Sequence, residues 1–409
     1  MSTNLAAKIR KIPFLIRSLG VLGTIRFILV WIKKRYSNGL LAPRVDIFKF
    51  YEFLDAPSGA VPCEQEKIEA NTINWIIPGF EVGSGGHLNI FRMIWGLEKH
   101  GYQNRIHIVG GCQFSSGEAA REAITEHFCP LAASVWIGED SLKAAEFTVA
   151  TSWITAYTVR RFNATRHKIY FIQDMEPWFS AHGSDYVFAE ATYRFGFTAI
   201  TAGDWLASLM SESYGMKAYP FGFSYEHDRY APSIRKQGPR RVFFYARHVT
   251  ARRGFELGML ALKRVHEQLP DIEFVLAGWD TSGYVIPFPH LNAGVVSLDE
   301  LPHLYAQCDV ALVISLTNIS LLPLELMACG CPVVSNDGPN VGWLLQNGET
   351  ALLTEASPEA LASALVDIMQ NQVLHARLKE NGLAFARKTS WADETRKVHG
   401  YLEAIRHTK

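Results

Sequence analysis

Residues 73–100 read INWIIPGFEVGSGGHLNIFRMIWGLEKH. Ile73–Pro78 is an apolar run of strand length, and Pro78–His87 (PGFEVGSGGH) brings together Gly79, Gly83, Gly85 and Gly86. From His87 to His100 the apolar residues Leu88, Phe91, Ile94 and Trp95 recur at helical spacing. A strand, a glycine turn and a helix in direct succession predict one βα unit of a parallel sheet. The turn then falls at the carboxyl end of the strand, where open α/β sheets hold their ligands.

Working outward, the same alternation continues. Further strands are predicted at Arg105–Val109, Ser134–Ile137, Thr148–Thr151, Lys168–Ile172, Ala199–Thr201 and Lys217–Tyr219, most of them separated by helical stretches. The pattern restarts after Pro232 with strand Arg241–Tyr245, helix Gly254–Gln268, strand Glu273–Gly278 and helix Leu298–Cys308. Strand Val310–Ile314, helix Pro323–Cys329, strands Pro332–Ser335 and Ala351–Thr354, and helices to the end complete it. Short apolar runs without polar alternation, joined by helices, belong to parallel sheets covered on both faces. The expected fold class is therefore α/β, with two doubly wound Rossmann-like domains facing each other across a cleft. The domains are placed at 71–220 and 239–390, with an interdomain connection at 221–238 and a C-terminal helix at 391–409. Residues 1–70 form a basic helical arm and linker.

The 409 residues hold 40 basic and 40 acidic side chains, 48% hydrophobic and 20% charged residues. That composition is too apolar for disorder, and the net charge gives no sign of a nucleic-acid binder. The balance hides an asymmetry. Residues 1–45 carry nine Lys/Arg and no acid, leaving 31 basic against 40 acidic residues in the body, a net of −9. Residues 14–36 read FLIRSLGVLGTIRFILVWIKKRY. Arg17 and Arg26 interrupt the apolar content, whereas a spanning helix needs about 20 mostly apolar residues. A central arginine costs about 2.5–3.5 kcal/mol on insertion scales. An interfacial helix on a membrane surface, through residues 1–37, fits better: Phe27 and Trp31 enter the acyl boundary and the cations meet anionic headgroups. The alternative is a helix packed on the parent domain with a solvated basic face. The six cysteines lack both disulfide density and metal-ligand spacing, as expected of reduced thiols.

Three passages carry candidate chemistry. In the glycine turn, Gly85 and Gly86 allow a backbone to approach a ligand at a helix start, which offers free N–H groups and about half a positive charge. A nicotinamide fingerprint aligned on Gly83 and Gly85 puts Leu88 where the third glycine belongs, and the next strand ends Ile108-Val-Gly-Gly111 with no acid for a ribose. A tight turn with no ligand is the other reading. The second passage, Phe244–Gly254 (FYARHVTARRG), sets Arg247 after a strand and Arg252 and Arg253 before a helix. Guanidinium groups facing one cleft suit a diphosphate, and a solvated charge cluster is the alternative. The third, Ser315–Val334 (SLTNISLLPLELMACGCPVV), places Pro323 and Glu325 in a first helical turn. Glu325 can cap its own helix or accept hydrogen bonds from ligand hydroxyls. Outside these passages, Asp174 and Glu176 follow a strand end, where one of them can orient an acceptor hydroxyl or face a reacting sugar. His87 lies beside the glycine turn.

Together the three passages resemble the retaining nucleotide-sugar glycosyltransferases of glycosyltransferase family 4, which have the GT-B fold. The likeness covers about residues 71–390. The family pattern has two glutamates eight positions apart before a small-residue, Gly, Pro, Val, Val ending. Glu325 matches the second, which in the family lies near the nucleotide ribose. Thr317 stands where the first lies, near the donor sugar. The resemblance implies that Thr317 and the chain N–H groups of Asn318, Ser320 and Leu321 border the donor sugar. The family's basic pair on the donor diphosphate falls on Arg247 and Arg253, with Arg252 as competitor for the second place. A narrower resemblance, carried by IIPGFEVGSGGH and by FIQDMEPWF at Phe171–Phe179, is to bacterial rhamnosyltransferases of surface-polysaccharide assembly, which use dTDP-rhamnose.

The implied partners are a nucleotide-diphosphate sugar, dTDP-rhamnose favoured, a saccharide or lipid-linked saccharide acceptor, and a membrane surface, with no nucleic acid. The implied location is cytoplasmic, peripheral on the inner face of the plasma membrane. No cofactor is implied. No Asp-x-Asp motif stands at a plausible donor site, so no metal is expected and arginine takes the cation's place. Two other functions use the same fold: a nucleotide-sugar epimerase, and a catalytically silent binding module recruited to the membrane.

Overall fold

The structure, a computed structural model, describes residues 46–55 and 68–407. The arm expected over residues 1–37 lies outside the described residues, as does most of the linker. The chain divides into two compact units, residues 1–56 and 57–409. In the first, α1 (Ile47–Phe50) starts at Asp46, whose carboxylate accepts hydrogen bonds from the Phe48 and Lys49 N–H groups, and α2 (Glu52–Asp55) follows.

The second unit holds two lobes. The first lobe runs β1 (Thr72–Pro78), α3 (Gly85–Glu98), β2 (Gln103–Val109), α4 (Gly117–His127), β3 (Ser134–Ile137), β4 (Ala145–Ala150), α5 (Trp153–Arg161), β5 (Thr165–Ile172), α6 (Ser184–Thr192), β6 (Thr198–Ala202), α7 (Asp204–Tyr214) and β7 (Ala218–Phe221). Its seven parallel strands lie in the order β3-β2-β1-β4-β5-β6-β7. The second lobe runs β8 (Arg241–Tyr245), α8 (Phe255–Gln268), β9 (Glu273–Ala277), β10 (His290–Gly294), α9 (Leu301–Ala306), β11 (Val310–Val313), α10 (Leu322–Ala328), β12 (Val333–Asn336), α11 (Pro339–Gly342), β13 (Leu352–Thr354), α12 (Pro358–Gln370), α13 (Gln372–Lys388) and α14 (Trp391–Arg406). Its sheet, also parallel, has the order β10-β9-β8-β11-β12-β13.

Strand order reverses beside β1 in one lobe and beside β8 in the other. The turns after β1 and β8 therefore open at the two switch points where doubly wound sheets form crevices. The strands read as unbroken apolar runs because both faces are covered. Phe243 packs in a core shared with the first lobe, and Phe244, its neighbour on the opposite face, packs against Phe255, Leu262 and Leu365. Each such buried side chain contributes roughly 1.5–3 kcal/mol.

Two features depart from expectation. Strand β10 has no counterpart among the expected strands: His290, Leu291 and Asn292 are exposed at the sheet edge, so HLNAG carries no apolar run to announce it. The C-terminal helix α14 also does more than follow the second lobe. It returns to the first, where Glu394 accepts the Gly222 N–H at 2.6 Å, the Tyr401 hydroxyl donates to the Pro220 carbonyl at 2.9 Å, and Arg406 pairs with Glu146 at 2.7 Å. No helix among the described residues is long and apolar enough to cross a membrane.

The contact of α14 with α3 requires Gly96, because a Cβ there would overlap the buried Thr395 side chain. Gly96→Val is expected to destabilise the protein by about 1–3 kcal/mol through overpacking. Adding Thr395→Ala should restore most of the loss in thermal unfolding. Equal stability of Gly96→Val and the parent would contradict the packing.

Candidate active site

The site is built where β5 of the first lobe meets the loop after β11 of the second. Beyond β5 the chain turns through Gln173 and Asp174 into a 3-10 turn at Glu176–Phe179. Asp174 is 8% exposed, and every partner it has there donates. Its Oδ1 accepts from the N–H groups of Asn318 (2.7 Å) and Met175 (2.8 Å), and its Oδ2 accepts from the Thr317 hydroxyl at 2.9 Å. Arg252 Nε stands 3.4 Å from Oδ2, and the Arg252 guanidinium lies 4.0 Å from the centre of the Phe179 ring. Burial raises the Asp174 pKa, while Arg253, the Asn318 N–H, Arg252 and Thr317 pull it back.

Asn318 stitches the lobes together. Its Nδ2 donates to the carbonyls of Gln173 (2.9 Å) and Ala202 (2.8 Å) in the first lobe, and its Oδ1 accepts from the Trp343 indole at 2.8 Å. Gln173 in turn donates to the Gly86 carbonyl at 3.0 Å. The glycine turn is thereby tied to the same network. Gly83 takes φ +89°, and a Cβ at Gly85 would meet no atom within 4 Å, so the helix start borders open space.

The basic residues differ in their commitments. Arg253 is half-buried and donates to Ser315 Oγ at 2.5 Å and to the Asn318 carbonyl at 3.5 Å. Burial lowers its pKa and Asp174 opposes the change. Arg247 is half-buried, donates to Thr250 Oγ1 at 3.1 Å and lies 5.3 Å from the Trp279 ring centre. Arg247 and Arg252 both act electrostatically on Arg253, so the three cations share one region.

Other predicted residues sit apart from this cluster. Glu176 is turned inward: its carboxylate accepts from the Trp153 N–H at 2.8 Å, at the start of α5, and from the Tyr170 hydroxyl at 3.0 Å. Glu325, in the first turn of α10, faces the Tyr230 hydroxyl and the Arg92 and Arg229 cations beside the interdomain connection. His87 Nε2 donates to the Pro78 carbonyl at 3.3 Å, which leaves Nδ1 to accept from Ser84 Oγ at 2.8 Å. Burial lowers the His87 pKa to about 4, so the ring is neutral at pH 7. Ser320 and Leu321 are half-buried just before α10, and the Leu321 carbonyl accepts from the Leu324 N–H at 2.9 Å. Among the described residues no group of three His, Cys, Asp or Glu side chains is gathered to hold a metal.

The lobes and their switch-point crevices define the fold as that of the GT-B glycosyltransferases. Residues 240–366 match the family described as WsaF, C-terminal domain. The O-antigen biosynthesis protein RfbC of Myxococcus xanthus is 34% identical over 369 residues, which are 86% of this chain and 28% of RfbC. The chain thus spans little more than a quarter of that relative's length. Sucrose-phosphate synthase of Thermosynechococcus elongatus superposes with a TM-score of 0.64 at 12% identity, covering 82% of this chain and 98% of that one. Anabaena HepE, solved in complex with UDP, gives 0.64 at 16% identity, covering 81% and 100%.

Burial raises the pKa of both Glu176 and Glu325 from 4.5 to about 7. The folded protein therefore binds these protons more tightly than the unfolded chain. The stability they contribute is full below pH 4.5 and is lost as pH rises through about 7. A shift of this size corresponds to about 3 kcal/mol per group. Glu176→Gln keeps the shape without the charge. Its unfolding midpoint should fall less than the parent's between about pH 5 and 8, and an unchanged slope would contradict the assignment.

Proposed function

We propose that the protein is a glycosyltransferase. It moves a sugar, rhamnose favoured, from a nucleotide-diphosphate donor such as dTDP-rhamnose to a saccharide or lipid-linked saccharide acceptor, with retention and without a metal. The observation that carries this reading is the seam cluster. Three arginines of the second lobe lie together at its switch point, and Arg252 meets a carboxylate presented by the first lobe. The resemblance of the three sequence passages, the match to the WsaF C-terminal domain and the likeness to RfbC support it.

In this reaction the bond from the anomeric carbon to the diphosphate oxygen breaks and a bond to the acceptor oxygen forms. Negative charge grows on the leaving diphosphate, where Arg247 and either Arg252 or Arg253 stabilise it, as preorganised donors do at an oxyanion. Arg253 is held in place by Ser315 and Asn318, so it arrives already oriented. The acceptor proton passes to the departing phosphate oxygen on the same face of the sugar, which retains configuration.

Asp174 takes the part that the resembled family gives to its first glutamate. Thr317 occupies that position, and its hydroxyl donates to Asp174, so the carboxylate is supplied from the opposite lobe. There it faces the positive charge that develops on the sugar. Donor phosphates compete for the hydrogen-bond donors that hold Asp174. Glu325, the ribose residue of the resembled family, instead faces Tyr230, Arg92 and Arg229, so no ribose contact is assigned to it. The arm over residues 1–37 keeps the enzyme at the inner membrane face, where a lipid-linked acceptor resides.

Arg247→Ala is expected to weaken donor binding by 10–100-fold, about 1.4–2.8 kcal/mol, with the fold preserved. Asp174→Asn should lower kcat at least 100-fold without raising the donor KM. Thermal-shift measurements with dTDP-, UDP- and GDP-sugars identify the donor, since a ligand bound only by the folded state raises the midpoint. Turnover that needs no acceptor would mark an epimerase, and normal turnover in both variants would overturn the assignment.

A further inference from the structure

A cavity of about 730 Å3 lies away from the seam cluster, where both lobes, the interdomain connection and α14 meet. Its size falls within the range of small-ligand sites, which favour domain interfaces. One wall is the outer face of α3 from Leu88 to Lys99, a length of about 16 Å. The others are Phe128 to Pro130, Glu226 to Arg229 of the connection, Leu298 and Asp299 of the second lobe, and the start of α14.

The lining combines aromatic rings with polar groups. Trp95 is 37% exposed, and the exposed Lys99 ammonium rests 3.5 Å from its ring centre, so the ring face is open to a displaceable partner. The Trp391 indole N–H is buried without a hydrogen-bond acceptor, and the exposed Asp228 also lines the cavity. The lining arginines are already neutralised: Arg92 by Glu226 at 2.6 Å, Arg229 by Asp299 at 3.5 Å, and Arg396 by Asp393 at 2.6 Å. An anion could meet the Lys99 ammonium, but the carboxylates of Glu226, Asp228 and Asp299 line the same cavity and would repel it. A neutral polyhydroxylated ligand meets no such repulsion. It can lay a C–H face on an indole and place hydroxyls against carboxylates and guanidinium groups.

The cavity is also wired to the seam. Arg92, 94% buried, donates to Asn89 Oδ1 at 3.1 Å, and Asn89 donates to Gln173 Oε1 at 3.2 Å. Gln173 then reaches Asn318 and the glycine turn.

We propose that this hinge pocket is a second saccharide-binding site that takes two or three rings of a neutral oligosaccharide. Its occupant touches both lobes and the connection between them, and so favours one arrangement of the cleft. Identifying the occupant as a distal part of the acceptor chain rests on the transferase reading above. The site itself does not.

The test is calorimetric titration of the full chain with two neutral trisaccharides, rhamnotriose and maltotriose, beside anionic trigalacturonate and the cleft ligand dTDP. Trp95→Ala removes the platform and Ala392→Trp fills the pocket mouth, with the thermal midpoint as the control for folding. The expected result is binding of a neutral trisaccharide that falls at least tenfold in both variants while dTDP affinity is unchanged. Failure of both neutral trisaccharides to bind, binding that survives both substitutions, or equal or tighter binding of trigalacturonate would overturn the proposal. Loss of trisaccharide binding in the variants of a chain that never binds a nucleotide would uphold the pocket and remove the transferase reading.

Discussion

A carboxylate withdrawn from water must be compensated where it stands. Asp174 is compensated almost wholly by the other lobe, through the Thr317 hydroxyl, the Asn318 N–H and the Arg252 cation. This interaction holds the two crevices at one seam. It differs in kind from the apolar core that runs through Phe221, Phe223 and Tyr230 to Leu324 and Met327. The core has no alternative partner, whereas donors gathered on an anion can be claimed by another anion. The seam contacts are therefore exchangeable with an anionic ligand.

The charges are graded around that contact. All three arginines are half-buried: Arg253 is fixed by Ser315 and Asn318, Arg252 faces the opposite lobe, and Arg247 lies beside Trp279. A diphosphate entering this region would meet one cation locked in place and two with freedom to adjust. Glu176 supports the arrangement from behind, joining the start of α5 to Tyr170 and the turn that carries Asp174. Between the seam and the hinge pocket, Gln173, Asn89 and Arg92 form a continuous polar path through α3.

Much of this was legible in the sequence because buried parallel strands announce themselves. INWIIP, RVFFY and VALV have apolar side chains on both faces, and the glycine turn after β1 marks its own position. Strand β10 was illegible, since an exposed edge strand held mainly by its neighbour's backbone needs no apolar side chains. The motif residues were visible as types, but their partners were not. Nothing in the spacing of Asp174 and Thr317, 143 residues apart, says that the two touch. Asn318, Gln173 and Trp343 carry no motif either, for their role is set by three-dimensional proximity. The return of α14 to the first lobe depends on Gly222, Pro220 and Glu146, which are ordinary residues in sequence.

The most direct measurement is a crystal structure of the full chain with dTDP, or with the nucleotide that gives the largest thermal shift. The diphosphate is expected within hydrogen-bond distance of Arg247 and of Arg252 or Arg253, with Asp174 released from at least one of its donors in the second lobe. A diphosphate bound away from these arginines, with the contacts of Asp174 to Thr317 and Asn318 intact, would contradict the central claim.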